Sequence, residues 1–264
     1  MRLTRRTGLQ LAAALIGSAV IPVIASNPAR AQGAAPLPGP FSHPVEGGEV
    51  VIHPVDHASM VLETPAGVIY VDPVGGAEAY ADLPAPDLIL ITHEHGDHYD
   101  QPTLDALPEV RIIANPAVVA MLPAAMAERT TTMANGDAGE VLGLTIEAVP
   151  AYNITPERAE YHPQGRDNGY LLTIGGQRFL IAGDTEDTPE LRALTEIDVA
   201  FLPMNLPYTM TVEQAAGAVT AFAPGVVYPY HHRDSDLEAF ARLVEEGGSG
   251  AQVVIADWYP DGAA

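Results

Sequence analysis

The chain of 264 residues carries 34 acidic residues against 12 arginines and no lysine, a formal charge of −22. That balance makes nucleic acid and anionic membranes poor partners and leaves recognition of anions to arginine, backbone amides or metal. There is no cysteine, which excludes disulfides, thiolate metal sites and cysteine nucleophiles, so imidazole and carboxylate are the strong ligands that remain.

Residues 1–31 read as a signal peptide. Arg5-Arg6 precedes an uncharged apolar run from Leu9 to Ala25, and the small-residue pattern Ala29-Arg30-Ala31 follows. The run is interrupted by Gln10, Gly17, Ser18 and Pro22 and is short for a membrane span, which needs about 20 apolar residues. Thr4 to Leu9 resembles a twin-arginine signal, the route that exports proteins already folded. The expected location is therefore the periplasm or the exterior, with no stable membrane span after cleavage. Removing the leader takes four of the arginines and no acidic residue, leaving 233 residues, the length of one domain.

Residues 32–48 are rich in Pro, Gly and Ala without periodicity and read as a linker or an arm lying on the domain, which then spans 49–264. Residues 49–55, 59–63 and 68–72 are expected strands in a meander, the last two joined by a hairpin at Thr64-Pro65-Ala66-Gly67. Residues 87–92, DLILIT, form a continuous apolar run too short for a helix and are expected to be a buried strand. A strand at 111–115 precedes a helix opened by Pro116 and running to about Ala127. A strand over 141–151 follows, then strands at 168–174 and 178–182 around the hairpin signal Gly175-Gly176. The remainder alternates: helix 189–194, strand 198–202, helix 212–222 capped by Thr211 with Gln214 three residues on, strand 226–229, helix 236–246 and strand 252–257. Strands in runs, then strands alternating with helices, predict an α/β sandwich with sheets packed inside helices.

The run His93-Glu94-His95-Gly96-Asp97-His98 begins where the buried strand ends and packs four potential ligands into six residues. His93 and His95, two apart, project to the same side of an extended segment and can share one metal. Asp97 and His98, beyond the turn at Gly96, can face a second. The zinc-protease pattern needs histidines four apart on a helix and does not fit. Nitrogen and carboxylate ligands around two cations lower the pKa of a bridging water and polarise a carbonyl or phosphoryl oxygen, which points to hydrolysis of a small molecule by a metal-bound hydroxide. Asp97 is the candidate catalytic residue, placed to orient that nucleophile or relay a proton.

Thr92 to His98 resembles the HxHxDH signature of the metallo-β-lactamase superfamily. His57-Ala58-Ser59, Val71-Asp72-Pro73, Pro150-Ala151-Tyr152-Asn153, His162-Pro163, Gly183-Asp184-Thr185 and Tyr230-His231 follow the order of its ascorbate-lactonase-like and phospholipase-D-like branch. The resemblance implies a four-layer αββα sandwich. It also implies two divalent metals, with His93 and His95 on the first, Asp97, His98 and His231 on the second, and Asp184 bridging both. Where relatives place a third histidine for the first metal, this chain has Asn153. Its carbonyl oxygen, His162 from the following loop, or a weak or empty first site are the alternatives. Zinc is the expected metal, with manganese or iron also fitting the ligands.

His57 and Asp72 are expected at strand ends, from which relatives orient the ligands, and His232 points away from His231 in an extended segment, so His231 ligates and His232 supports. Arg158, Arg166, Asn205 and Tyr208 fall on loops expected near the metal mouth. Two other functions fit the same residues: iron-dependent redox chemistry, and an exported metal-binding protein whose catalytic site has decayed, the second motivated by Asn153.

Overall fold

The computed structural model describes residues 36–260 and 262, so the expected signal peptide lies outside the described residues. Two seven-stranded sheets face each other. The first comprises β1 (Phe41–Val45), β2 (Gly48–Asp56), β3 (Ser59–Thr64), β4 (Gly67–Val71), β5 (Leu88–Ile91), β6 (Arg111–Ala114) and β7 (Thr130–Thr132), in that order across the sheet. Pairing is antiparallel as far as β4 and parallel beyond it. The second comprises β8 (Ala138–Val141), β9 (Leu144–Ala151), β10 (Asp167–Ile174), β11 (Gln177–Ile181), β12 (Val199–Pro203), β13 (Val226–Tyr230) and β14 (Gln252–Val253). It repeats the plan, antiparallel to β11 and then parallel.

Strand composition dictates this layering. All four residues of β5 are buried, and they alternate: Leu88 and Leu90 enter the core between the sheets, while Ile89 and Ile91 face a second cluster on the outer side. That outer cluster is closed by Leu104 of α1 (Gln101–Ala106), Val118 of α2 (Pro116–Met121) and Met126 of α3 (Ala124–Ala127). On the other flank, α4 (Pro189–Arg192), α5 (Val212–Phe222) and α6 (Leu237–Gly247) bring Leu191, Val219, Phe222, Phe240 and Val244 onto Leu180, Ala200, Leu202 and Val227. The result is the αββα sandwich, with each fully buried aliphatic side chain contributing about 1.5–3 kcal/mol. No helix among the described residues is long and apolar enough to cross a membrane.

Several elements depart from the sequence expectation for local reasons. The helix expected from Pro116 to Ala127 is split, because Pro123 forces Leu122 into an extended conformation. The strand expected over 141–151 is β9, but it starts three residues later, after a hairpin turn from β8 at Leu142 (φ 55°) and Gly143 (φ 77°); leucine is an uncommon residue there, so no turn signal is visible. Within the stretch read as linker or arm, residues 41–45 form an edge strand on β2, and Leu37 bridges Ala256. The strand expected at 252–257 is regular only over Gln252–Val253, where it pairs with β13. The capping box of α5 forms as expected, Thr211 and Gln214 each satisfying the other's backbone N–H.

Candidate metal centre

One edge of the sandwich collects the chemistry. The carboxyl ends of β4, β5, β11 and β13 deliver Asp72, His93, Asp184 and His231, and the loop after β9 carries His162. A register shift between Pro54 and Asp56 bends β2 just before the turn that carries His57. His57, Asp72 and His231 all adopt left-handed backbone conformations, with φ of 51°, 44° and 46°. For residues other than glycine these cost about 1–3 kcal/mol each, strain that concentrates at functional sites.

Asp184 is the hub. Its carboxylate lies 3.2 Å from His231 Nε2, 3.3 Å from His98 Nε2, 3.4 Å from His162 Nε2 and 3.9 Å from His93 Nε2. Asp97 stands beside it, with Oδ2 3.3 Å from His57 Nε2 and 3.5 Å from His231 Nε2. Ligand atoms of His93, His95 and His162 fall within 4.8 Å of one another, as do those of His93, His98 and Asp184 and those of His57, Asp97 and His231. The turn that packs His95 and His98 into one site is closed by backbone N–H groups of His98 and Tyr99 donating to the His95 carbonyl, at 2.9 and 2.8 Å.

The buried Nε2 atoms of His57, His93, His98, His162 and His231, and Asp184 Oδ1, have no hydrogen-bond partner. Unpaired buried polar atoms cost about 1–3 kcal/mol each; His57 Nε2 lies against Asp97, whereas the other four imidazoles converge on Asp184, and that cluster fits cations rather than apolar packing. The other ring nitrogens show the same design. His98 Nδ1 donates to Asp72 at 2.8 Å, and His162 Nδ1 to Asp167 at 2.9 Å. Thr92 Oγ1 gives its hydrogen to Asp72 at 2.7 Å, so it accepts from His93 Nδ1 at 3.0 Å. Each of these three rings therefore commits Nδ1 to an outer partner and turns Nε2 inward, the atom left for a metal.

The comparisons with known proteins agree with this geometry. The β-lactamase superfamily domain matches residues 51–231. This chain belongs to that superfamily. It is 32% identical to a metal-dependent hydrolase of Pyrococcus abyssi over 75% of this chain and 92% of the relative, and 31% identical to one of Methanopyrus kandleri over 76% and 94%. A crystal structure from Parabacteroides distasonis, described as a metal-dependent hydrolase, superposes with a TM-score of 0.75 at 40% identity, covering 84% of this chain and all of that one. The chain is thus a metal-dependent hydrolase of the metallo-β-lactamase fold.

Within this superfamily member Asn153 and His162 differ in their surroundings. Asn153 Nδ2 donates to the carbonyls of Arg158 at 3.0 Å and Tyr208 at 2.7 Å, clasping two loops, while its buried Oδ1 has no hydrogen-bond partner. Its backbone N–H holds the His162 carbonyl at 2.8 Å, and His162, not Asn153, reaches Asp184. His57 comes closer than a supporting position implies, with Nε2 against Asp97. His232 turns away: its Nδ1 faces the Arg233 carbonyl at 3.0 Å and its ring packs on Tyr259. Arg158 pairs with the buried Glu186, and Arg166 with Asp167 and Glu94, so both tie loops together; Asn205 is buried and Tyr208 is exposed at the rim. Asp167, Glu186, Arg233 and Tyr259 carry no motif, and sequence reasoning missed them.

Charge in the cluster is strongly partitioned. Burial pushes the pKa of His93 well below the usual imidazole range, and His98 and His162 add to the effect. For His57 burial likewise dominates, taking it down to about 4. Burial also opposes protonation of His98 and His231, but the carboxylates around them win, Asp184 and Asp72 for His98 and Asp184 and Asp97 for His231, and both are raised. Burial would raise Asp97 and Asp184; the imidazoles against them more than reverse it, so both carboxyls stay ionised.

Proposed function

We propose that this protein hydrolyses an ester, lactone, amide or phosphodiester bond in a small molecule at a centre of two divalent cations, with zinc the first choice and manganese or iron compatible with the same donors. One half of the centre is His93, His95 and His162; the other is Asp97, His98 and His231; Asp184 is shared. The observation that carries this reading is Asp184 surrounded by four inward-facing imidazole nitrogens at 3.2 to 3.9 Å, none with a hydrogen-bond partner. Cations bound there would lower the pKa of water and polarise the substrate's carbonyl or phosphoryl oxygen.

The chain's own residues supply the rest. Asp97, ionised and with 42% of its side chain exposed, is placed to orient the attacking water and take its proton. Asp72, Asp167 and Thr92 hold the imidazoles in the tautomer that coordinates. His162 Nε2, 3.4 Å from Asp184, gives the first half its third imidazole, which supports catalysis over a decayed binding site. Arg5-Arg6 and the apolar run behind them support export to the periplasm or beyond. The motif order favours the lactonase-like and phospholipase-like branch.

The test is to reload stripped protein with zinc, manganese or iron and screen p-nitrophenyl esters, lactones and bis(p-nitrophenyl) phosphate, with Asp97→Ala as control. Metal-dependent hydrolysis lost in Asp97→Ala is expected. Tightly held iron with oxygen consumption and no hydrolysis overturns the reading.

A further inference from the structure

Tyr259 Oη sits among three nitrogens. The backbone N–H groups of His232 and Arg233 donate to it at 3.0 and 2.9 Å, and His57 Nδ1 lies 2.8 Å away. A backbone N–H only donates, and a phenolic oxygen has two lone pairs, so both are taken and the Tyr259 hydrogen goes to His57 Nδ1. An imidazole that accepts at Nδ1 carries its hydrogen on Nε2. His98, His162 and His93 are the reverse, each giving its Nδ1 hydrogen to Asp72, Asp167 or Thr92. The fold thus separates histidines with a free Nε2 lone pair from one whose Nε2–H cannot coordinate a cation.

The His57 Nε2–H is held by no short hydrogen bond within the protein. The residue is 4% exposed, and Nε2 has only the long contact to Asp97 Oδ2 at 3.3 Å. It faces a cavity of about 310 Å³ lined by Asp97, Gly75, Gly96, Arg233 and Tyr259. A Cβ at Gly75 or Gly96 would meet no atom within 4 Å, so the space is open. Across it, Arg233 is exposed, and its guanidinium makes no ion pair or hydrogen bond among the described residues. Its backbone is fixed at φ 41° by the bond to Tyr259. Val74, Asp56 and Asp100 complete the wall, the last already capping α1 through the Thr103 N–H at 3.2 Å.

We propose that His57 is a hydrogen-bond donor to substrate and not a metal ligand, and that with Arg233 it makes this cavity a subsite for an anionic oxygen group, a carboxylate or phosphate, on the molecule hydrolysed. This rests on the hydrolase reading for its role, but its tests do not. In the zinc-loaded full-length protein, ¹⁵N NMR of His57 shows a protonated Nε2 and a bare Nδ1, and His57→Leu retains the wild-type zinc content. Arg233→Ala and His57→Leu each weaken binding of inorganic phosphate or acetate, measured by calorimetry, about ten-fold, the size of one charge-assisted hydrogen bond. The tighter of the two anions identifies the group. A metal-bound Nε2, zinc lost in His57→Leu, or anion binding unchanged in Arg233→Ala overturns the proposal. If His57→Leu does not fold, His57→Gln, which keeps an N–H donor, is expected to retain zinc and anion binding, and the NMR of the wild-type chain decides the tautomer. A wild-type protein that hydrolyses nothing defeats the hydrolase reading alone, since the tautomer and anion binding are read without turnover.

Discussion

The two halves of the proposed centre differ in what lies in front of them. His93 and His162 are fully buried with His95 part-exposed beside them, and Asp167, Arg166 and Glu94 brace the loop behind. The other half has a buried His98 and His231 and presents the part-exposed Asp97 to open space beside His57. A cavity in front of one half leaves room for a reactant, as the open position of a catalytic zinc does. Substrate is therefore expected to arrive on the Asp97 side.

The sharpest way to break that division is Asp184→Ala, which strikes both halves. Elemental analysis should show both cations lost, and hydrolysis should fall well beyond the about 10–100-fold typical of removing an outer partner. His162→Ala should empty the half it belongs to and leave the other filled, seen as half the wild-type metal content. Asp167→Asn removes only the carboxylate behind His162 and should lower metal affinity about 10–100-fold in a chelator competition, without abolishing binding. Protons sharpen the comparison further. His98 and His231 hold protons to higher pH than an ordinary imidazole, and coordination needs them neutral, so loading the metal must expel protons. Affinity should rise with pH from the ordinary imidazole range upward, and calorimetry in buffers of different ionisation enthalpy should register the release. Asn153→Ala, the smallest change, should leave metal content intact and cost about 1–3 kcal/mol of stability in urea unfolding, because its amide clasps two loops.

These residues also mark how far the chain can be read by eye. The segment His93 to His98 is legible because its ligands are consecutive and follow an apolar run that can only be a buried strand. Asp184 and His231 carry weak local signals, an aspartate after a strand and a histidine pair, and gain meaning only through motif order. His162 and Asn153 could not be separated, since what turns His162 inward is Asp167, five residues on, whose role exists only once the loop has folded. Tyr259 had no signal at all: it meets His57 across a separation of 202 residues, and no periodicity spans that distance. In the framework, alternating and apolar runs set the two sheets and Pro123 was a legible break inside the expected helix, whereas the hairpin at Leu142 depended on a backbone angle that composition does not disclose.

The clasp between the two ends of the domain has a consequence for biosynthesis. His57 N–H donates to the Trp258 carbonyl at 2.9 Å, and Asp257 N–H to that of Leu37 at 3.0 Å, so early and late segments are zipped together around the site. A nascent polypeptide emerging from the ribosome holds most of its ligands long before it holds the residue that sets His57. Translation must run past position 259 before that contact can form, and a chain stalled or clipped short of it would lack the partner that sets the His57 ring.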